Sequence, residues 1–260
     1  MKLVMFDIDG TLTDTHAADA NGFVEAVRAE LGITEIDTDW ASYPHATSEG
    51  ILDEVVRRAT GRPVTPGECQ AVQRRLLHRL RRASIREIPG AGAFVRKLTD
   101  AGIAVALASG DWELSARHKL AAASIPADDL PAAFCDSSRE RTEIMRHSLR
   151  HSLAHHRCES FKPIIYVGDG SWDIRASREL GWGFIGIESG AASLRLRARR
   201  PARFSGLSPR GSRARGHRIW QRASINDLPR HLTPAFPPAM DCLRPQLHCP
   251  GGAPHDLLIR

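Results

Sequence analysis

The stretch "KLVMFDIDG", residues 2–10, decides how the rest of the chain reads. Leu3 to Phe6 form an unbroken apolar run with no polar face. Such a run suits a strand buried on both sides, as in a parallel sheet covered by helices. The run ends in Asp7, Ile8, Asp9 and Gly10, so it delivers two carboxylates to the C-terminal end of a strand. Side chains alternate along a strand, and residues 7 and 9 therefore share a face.

Outward from that strand the period changes. "HAADANGFVEAVRAELG" spaces Phe23, Val27 and Leu31 by four, with Gly32 as its stop. "TSEGILDEVVRRATG" repeats the design, with Thr47 as N-cap and Gly61 just past the end. "TPGECQAVQRRLLHRLRRASI" is a third helix with Pro66 in its first turn. After the turn "IPGAGAF" (88–94), helices at 91–101, 112–123, 140–156 and 172–180 alternate with strands at 103–108, 132–136, 164–168 and 183–188. That alternation predicts an α/β fold, a Rossmann-like parallel sheet with helices on both faces. Residues 1–15 and 87–190 form its core, and 16–86 form a small all-helical domain inserted after the first strand.

The chain has 260 residues, 42% apolar and 25% charged, which is a globular composition. No apolar run approaches the ~20 residues needed to span a bilayer. The N-terminal apolar run leads into acidic residues where an export signal would need small ones, so a cytoplasmic protein is expected. The net charge of +6 hides a division. Residues 1–190 carry 23 Lys+Arg and 27 Asp+Glu, whereas residues 191–260 carry 13 Arg, no Lys and 3 Asp. The high pI therefore belongs to the tail and gives the body no reason to bind nucleic acid. Five cysteines without a CxxC pair argue against a disulfide framework or a structural zinc site.

Functional groups of a parallel α/β sheet gather at the carboxyl ends of its strands. One predicted strand ends in Asp7 and Asp9, another in Ser109 and Gly110, and a third in Asp169, with Asp173 four residues on. Carboxylates brought that close repel by about 4 kcal/mol per pair at 4 Å and an effective dielectric of 20. Protons or a hard cation must relieve them, and an all-oxygen donor set suits Mg²⁺. One carboxylate can attack while its neighbour moves protons. A hydroxyl and free N–H groups at a strand-to-helix turn suit phosphate oxygens.

"DIDGT" at 7–11, "LASG" at 107–110 and "GDGSWD" at 168–173 resemble, in order and placement, three motifs of the haloacid dehalogenase-like hydrolase superfamily. The likeness covers roughly residues 1–190, and the segment 16–86 resembles that superfamily's helical cap. The resemblance implies a Mg²⁺-dependent phosphatase acting on a small phosphorylated metabolite. Asp7 would be the nucleophile that becomes a phospho-aspartate, and Asp9 the general acid/base. Ser109 and Gly110, with Gly10 and Thr11, would hold the phosphoryl group. Asp7, the backbone carbonyl of Asp9, and Asp169 would bind Mg²⁺, with Asp173 positioning the metal or its water. The superfamily also uses a basic residue against the phosphoryl group. Arg141 is favoured, with Arg139 and Lys162 as rivals. His45 and Thr47, in "SYPHATSEG", are specificity candidates.

Other readings stand beside this one. A phosphomutase would share all these motifs and return the phosphoryl group to a sugar. A receiver-like domain also accepts phosphate on an aspartate, but the helical insertion and Asp9 argue against it. An inactive scaffold would have no need of the intact acidic residues. His147, His151 and His155 recur at four-residue spacing and read as a solvated helix face, as do Arg74, Arg75, Arg79, Arg81 and Arg82. The Arg/Pro-rich stretch from 191 holds nine of the 16 prolines and shows no period. It reads as disordered, either through a changed reading frame or as a genuine basic extension, and it would leave a sheet edge uncovered.

Overall fold

A computed structural model describes residues 1–187 and the backbone of Arg197–Arg199. Strand β1 (Leu3–Phe6) lies at the centre of the sheet, and all four of its side chains are fully buried. Burying each of these large apolar side chains stabilises the fold by roughly 1.5–3 kcal/mol. Strands β2 (Ala104–Ala108) and β4 (Ile164–Gly168) flank it in parallel, Phe6 standing opposite Leu107 and Val167. Beyond them lie β3 (Ala132–Ala133) and β5 (Gly183–Gly186), also parallel, in the order β3-β2-β1-β4-β5-β6. The α/β, Rossmann-like parallel sheet expected from the apolar runs is therefore present.

Two expectations are corrected. The strand predicted at 132–136 stops at Ala133, because Cys135 N–H turns to the carbonyl of Asp111 and Ser137 and Ser138 close turns on Phe134 and Cys135. Within the tail, Arg197–Arg199 forms β6, antiparallel to β5. Over these three residues that edge is therefore paired rather than open. The remaining tail expectations, for 188–196 and 200–260, lie outside the described residues, as do Cys242 and Cys249. Cys69, Cys135 and Cys158 are free thiols.

Between β1 and β2 the chain builds α1 (His16–Leu31), a short 3₁₀ turn (Trp40–Ser42), α2 (Ser48–Thr60), α3 (Pro66–Leu80) and α4 (Ala91–Asp100). Local chemistry sets their ends. Gly32 and Gly61 close α1 and α2 in the left-handed conformation that glycine adopts without cost. Thr47 Oγ1 accepts from Gly50 N–H to start α2, and Thr65 and Glu68 form a reciprocal capping box at α3. α1 packs on α3, and α3 reaches α5 (Glu113–Ala122). Helices α6 (Arg141–His156) and α7 (Ser171–Glu179) complete the layers. The chain leaves and re-enters the sheet side by side: Asp14 N–H bonds Arg86 O at 2.9 Å and Ile88 N–H bonds Leu12 O at 2.8 Å. Among the described residues no helix is long and apolar enough to cross a membrane.

Candidate active site

The loops after β1, β2 and β4 meet the N-terminus of α6 around a cavity of about 140 Å³. Asp7, Ser109, Arg141 and Asp169 line its inner side. The opposite side is built by α1, the 40–42 turn and the start of α2.

Asp7 is buried, and its N–H continues the β1–β4 ladder to Val167 O at 2.9 Å. Arg141 Nη2 stands 3.4 Å from Asp7 Oδ1 and 2.8 Å from Asp173 Oδ1. Burial raises the Asp7 carboxyl to about 6, the nearby Arg141 charge opposes that, and Asp169 and Asp9 add to it. Burial raises Asp173 further, to about 8, again against Arg141. Asp173 Oδ2 also accepts from Gly170 N–H at 3.1 Å, so its carboxyl is fixed from both sides. The guanidinium is thus held in place by a buried carboxylate while it faces the cavity.

Asp9 turns elsewhere. Its two oxygens accept from Lys119 Nζ at 2.9 and 2.7 Å, and Thr15 Oγ1 donates to Asp9 Oδ1. Lys119, from α5, is completely buried. Its ammonium also meets Asp111 at 2.5 Å and Asp19, from α1, at 2.6 Å. Burial alone would raise Asp9, but the Lys119 charge and the hydrogen bonds from Lys119 and Thr15 outweigh it and hold the carboxyl below its ordinary value. Burial raises Asp111 and Asp19 instead, against the same Lys119 charge. A solvated-looking lysine in "ELSARHKLAA" gave no sequence signal of this; only the packing of α1 on the sheet exposes the role.

Asp169 Oδ2 lies 2.6 Å from His16 Nε2. That hydrogen bond, against the cost of burial, raises His16 to about 9, so the imidazolium donates to Asp169. Asp7, Asp169 and Asp173 each offer one oxygen within 4.8 Å of the others. Asp7 Oδ1 and Asp169 Oδ1 are buried without a hydrogen-bond partner. Orphaned, mutually repelling hard oxygens are the donor set that suits Mg²⁺. The other acidic group, Asp9, Asp19 and Asp111, already encloses the Lys119 ammonium.

The structure brings together Asp7, Asp9, Ser109, Gly110, Arg141, Asp169 and Thr47 around the cavity. Ser109 is buried, and its hydroxyl accepts from Asp111 N–H at 3.4 Å. A Cβ at Gly110 would stand 3.0 Å from Ala46 O and 3.2 Å from Arg141 Nη1, so the helical segment approaches this strand end too closely for a side chain. Asp173 sits behind Arg141 rather than on the cavity wall. Gly10 and Thr11 do not line the cavity, and their N–H groups are spent inside the turn on Thr13 O and Ile8 O. Gly10 is still required, because its φ is +69° and a Cβ would collide with His16 and Asp169. His45 packs against Gly50 and is off the cavity. Of the three basic candidates, Arg141 alone reaches Asp7. Arg139 is held outside by Glu49 at 3.1 Å and Asp53 at 2.9 Å, and Lys162 does not line the cavity. Sequence reading missed Lys119, His16 and the aromatic side chains Phe23 and Trp40.

A parallel α/β sheet with carboxylates gathered beyond the C-terminal ends of β1 and β4 defines a class of enzymes that work with aspartates. The chain belongs to the haloacid dehalogenase-like hydrolase family, whose model matches residues 1–181. Among solved structures the fold resembles a putative β-phosphoglucomutase from Bacteroides vulgatus, at 19% identity and a TM-score of 0.57 over 73% of this chain and 76% of that one. A hydrolase from Pseudomonas syringae matches at 18% identity and a TM-score of 0.55, over 72% and 84% of the two chains. CbbY from Rhodobacter sphaeroides, solved with phosphate, matches at 19% and 0.53, over 73% and 87%. No curated protein gives a significant match.

Proposed function

We propose that this hydrolase is a phosphatase that cleaves a small phosphomonoester through a phospho-aspartate on Asp7, and that residues 16–86 cap its site. The observation that carries the reading is the placement of Arg141 between Asp7 and Asp173, 3.4 and 2.8 Å away. An arginine fixed by one buried carboxylate and facing another that lines a cavity suits a transferring phosphoryl group.

Asp7 attacks phosphorus, and the bond to the leaving oxygen breaks as the Asp7–phosphorus bond forms. Arg141 and the Ser109 hydroxyl neutralise and orient the phosphoryl oxygens. Asp9 takes up a proton with the incoming phosphomonoester, gives it to the leaving alcohol and then takes one from the water that opens the phospho-aspartate. Lys119 and Thr15 fix the Asp9 carboxyl, and Asp19 and Asp111 hold the Lys119 ammonium in turn. Asp7 and Asp169 would hold Mg²⁺, with Asp173 behind them. Bound there, the ion offsets the negative charge that otherwise keeps a carboxylate from approaching phosphate.

The experiment is hydrolysis of p-nitrophenyl phosphate with and without Mg²⁺, comparing the native protein with Asp7→Asn. Magnesium-dependent turnover that disappears in Asp7→Asn is expected. Equal turnover in the variant would overturn the assignment of the nucleophile. Absence of turnover on this ester and on a panel of phosphorylated metabolites, in folded protein, would overturn the phosphatase reading.

A further inference from the structure

The cavity is chemically divided. Its basic side chains, Arg141 and His16, both sit on the side of Asp7 and Asp169. The facing wall, contributed by α1, the 40–42 turn and the start of α2, presents Ala20, Phe23, Trp40 and Ile51 beside Asp19, Thr47 and Ser48, with no lysine or arginine. Phe23 anchors that wall: its ring meets Trp40 edge-on at 5.9 Å and stacks on buried Trp112 at 6.2 Å. Trp40 in turn stacks on Tyr43 at 6.1 Å. The row is rigid and apolar, so it can exclude water from a leaving group but cannot satisfy a charge.

No arginine of the helical segment lines the cavity, and several are engaged elsewhere. Arg75 pairs with Glu30 at 2.6 Å, Arg57 with Asp53 at 2.8 Å, and Arg79 with Glu25. Each of these arginine side chains is nearly half exposed on the outer surface. None of them is placed to meet a second phosphate or carboxylate inside. Asp19 and Asp111 reach the cavity margin with their carboxyls turned to Lys119, so they offer a second anion no cation there.

We propose that the leaving-group subsite takes a compact, uncharged alcohol of apolar or aromatic character and rejects substrates with a second anionic group. This rests on the phosphatase reading above. At about 140 Å³ the cavity is well below the ~300–1,000 Å³ of sites for drug-sized ligands, which favours a compact alcohol. A sugar hydroxyl set against Phe23, Trp40 or Ile51 would be buried unpaired, which weakens transition-state binding.

The test is kcat/KM of the full chain with Mg²⁺ on n-butyl phosphate, phenyl phosphate, glucose 1-phosphate, phosphoglycolate, phosphocholine and a pentose bisphosphate. The two apolar esters should exceed phosphoglycolate and the bisphosphate by about 100-fold or more, the scale on which unpaired polar groups discriminate. Ile51→Arg should narrow the phenyl phosphate to phosphoglycolate ratio by about tenfold, because it places a cation on the wall. Preference of the native protein for phosphoglycolate, the bisphosphate, glucose 1-phosphate or phosphocholine would overturn the proposal while leaving the phosphatase reading intact. Turnover of none of the six would instead count against the phosphatase reading itself. The native panel decides even if Ile51→Arg does not fold.

Discussion

Lys119 and Asp9 are 110 residues apart in the chain and 2.7 Å apart in the fold. One wholly buried ammonium ties the loop after β1 to α5, to Asp111 after β2 and to Asp19 on α1. A lysine is seldom buried without partners, and here three carboxylates supply them. The same contact therefore fixes the side chain assigned to proton transfer and fastens α1 to the sheet.

Lys119→Met tests that dual role. It leaves Asp9, Asp19 and Asp111 buried without their counter-charge. Breaking one side of a buried ion pair costs about 3–5 kcal/mol, and urea unfolding at pH 7.5 should show a loss of that size. At pH 5 the loss should shrink, because protonated carboxyls repel less. Where the variant still folds, kcat should fall by about 10² or more while KM changes little, since Asp9 keeps its place in sequence but loses its orientation. Unchanged stability and kcat would show that the cluster carries neither role.

Arg141 should behave as a positioned phosphate ligand rather than as a surface charge. Arg141→Lys keeps the charge but cannot span Asp7 and Asp173 with a planar fork. Its KM for a phosphomonoester should rise about tenfold or more, and inhibition by inorganic phosphate should weaken in parallel. Arg139→Lys, remote from Asp7 and paired with Glu49 and Asp53, should leave both nearly unchanged.

The unpaired oxygens of Asp7 and Asp169 predict a binding effect readable without catalysis. Mg²⁺ should raise the melting temperature, since a ligand that binds only the folded state stabilises by RT ln(1 + [L]/Kd). At a hundredfold excess over Kd that is about 2.7 kcal/mol, or roughly 5–10 °C for a chain of this size. Asp169→Asn should abolish most of the shift. In metal-free protein Asp7→Asn should raise the melting temperature slightly, because it removes one of the repelling charges. A Mg²⁺ shift that survives Asp169→Asn would place the ion elsewhere.

Much of this arrangement was legible in residues 2–10 and in the strand ends that follow. An apolar run without a polar face can only be buried, and a carboxylate at the end of such a run must have a partner or a task. Caps at Thr47, Gly32 and Gly61 were readable because single residues decide them. Lys119 was not, since nothing in its helix distinguishes it from the solvated Arg117 two positions earlier, and only distant Asp19 and Asp9 bury it. Phe23 reads as a core residue from its four-residue spacing for the same reason: a wall facing a cavity and a wall facing a core carry the same composition. His45, two residues before the Thr47 cap, shows the converse error, because proximity in sequence to a site does not turn a side chain toward it.

Gly110 offers a direct test of how closely the helical segment seats on the sheet. Ser48 N–H bonds Gly110 O at 2.8 Å, and an added Cβ would meet Ala46 O at 3.0 Å and Thr47 Cα at 3.3 Å. Backbone atoms cannot yield as a flexible side chain can. Gly110→Ala should therefore cost about 1–3 kcal/mol and lower kcat/KM, as the entry to α2 moves away from Ser109. The equivalent change at Gly67, where nothing lies within 4 Å, should be neutral or slightly stabilising, since alanine favours a helix.

The capping box of α3 gives a pH-dependent prediction away from the active site. Glu68 accepts from Thr65 N–H at 2.9 Å and pairs with Arg62, and the Arg62 hydrogen bond, followed by that from Thr65, lowers its carboxyl to about 2. A carboxyl whose pKa is lowered on folding binds its proton less readily when folded than when unfolded. Its stabilisation is therefore complete above about 4.5, the ordinary value, and is lost as the pH falls toward 2. Glu68→Gln should reduce stability at pH 7 by no more than about 1 kcal/mol, because the pair is exposed enough to be screened and the glutamine can still accept from Thr65. The difference between the two proteins should shrink below about pH 4.5 and vanish only below about pH 2, and 1 M salt at pH 7 should remove part of it. A gap between them that widens on acidification would mean that Glu68 stabilises α3 through packing of its stem rather than through its charge.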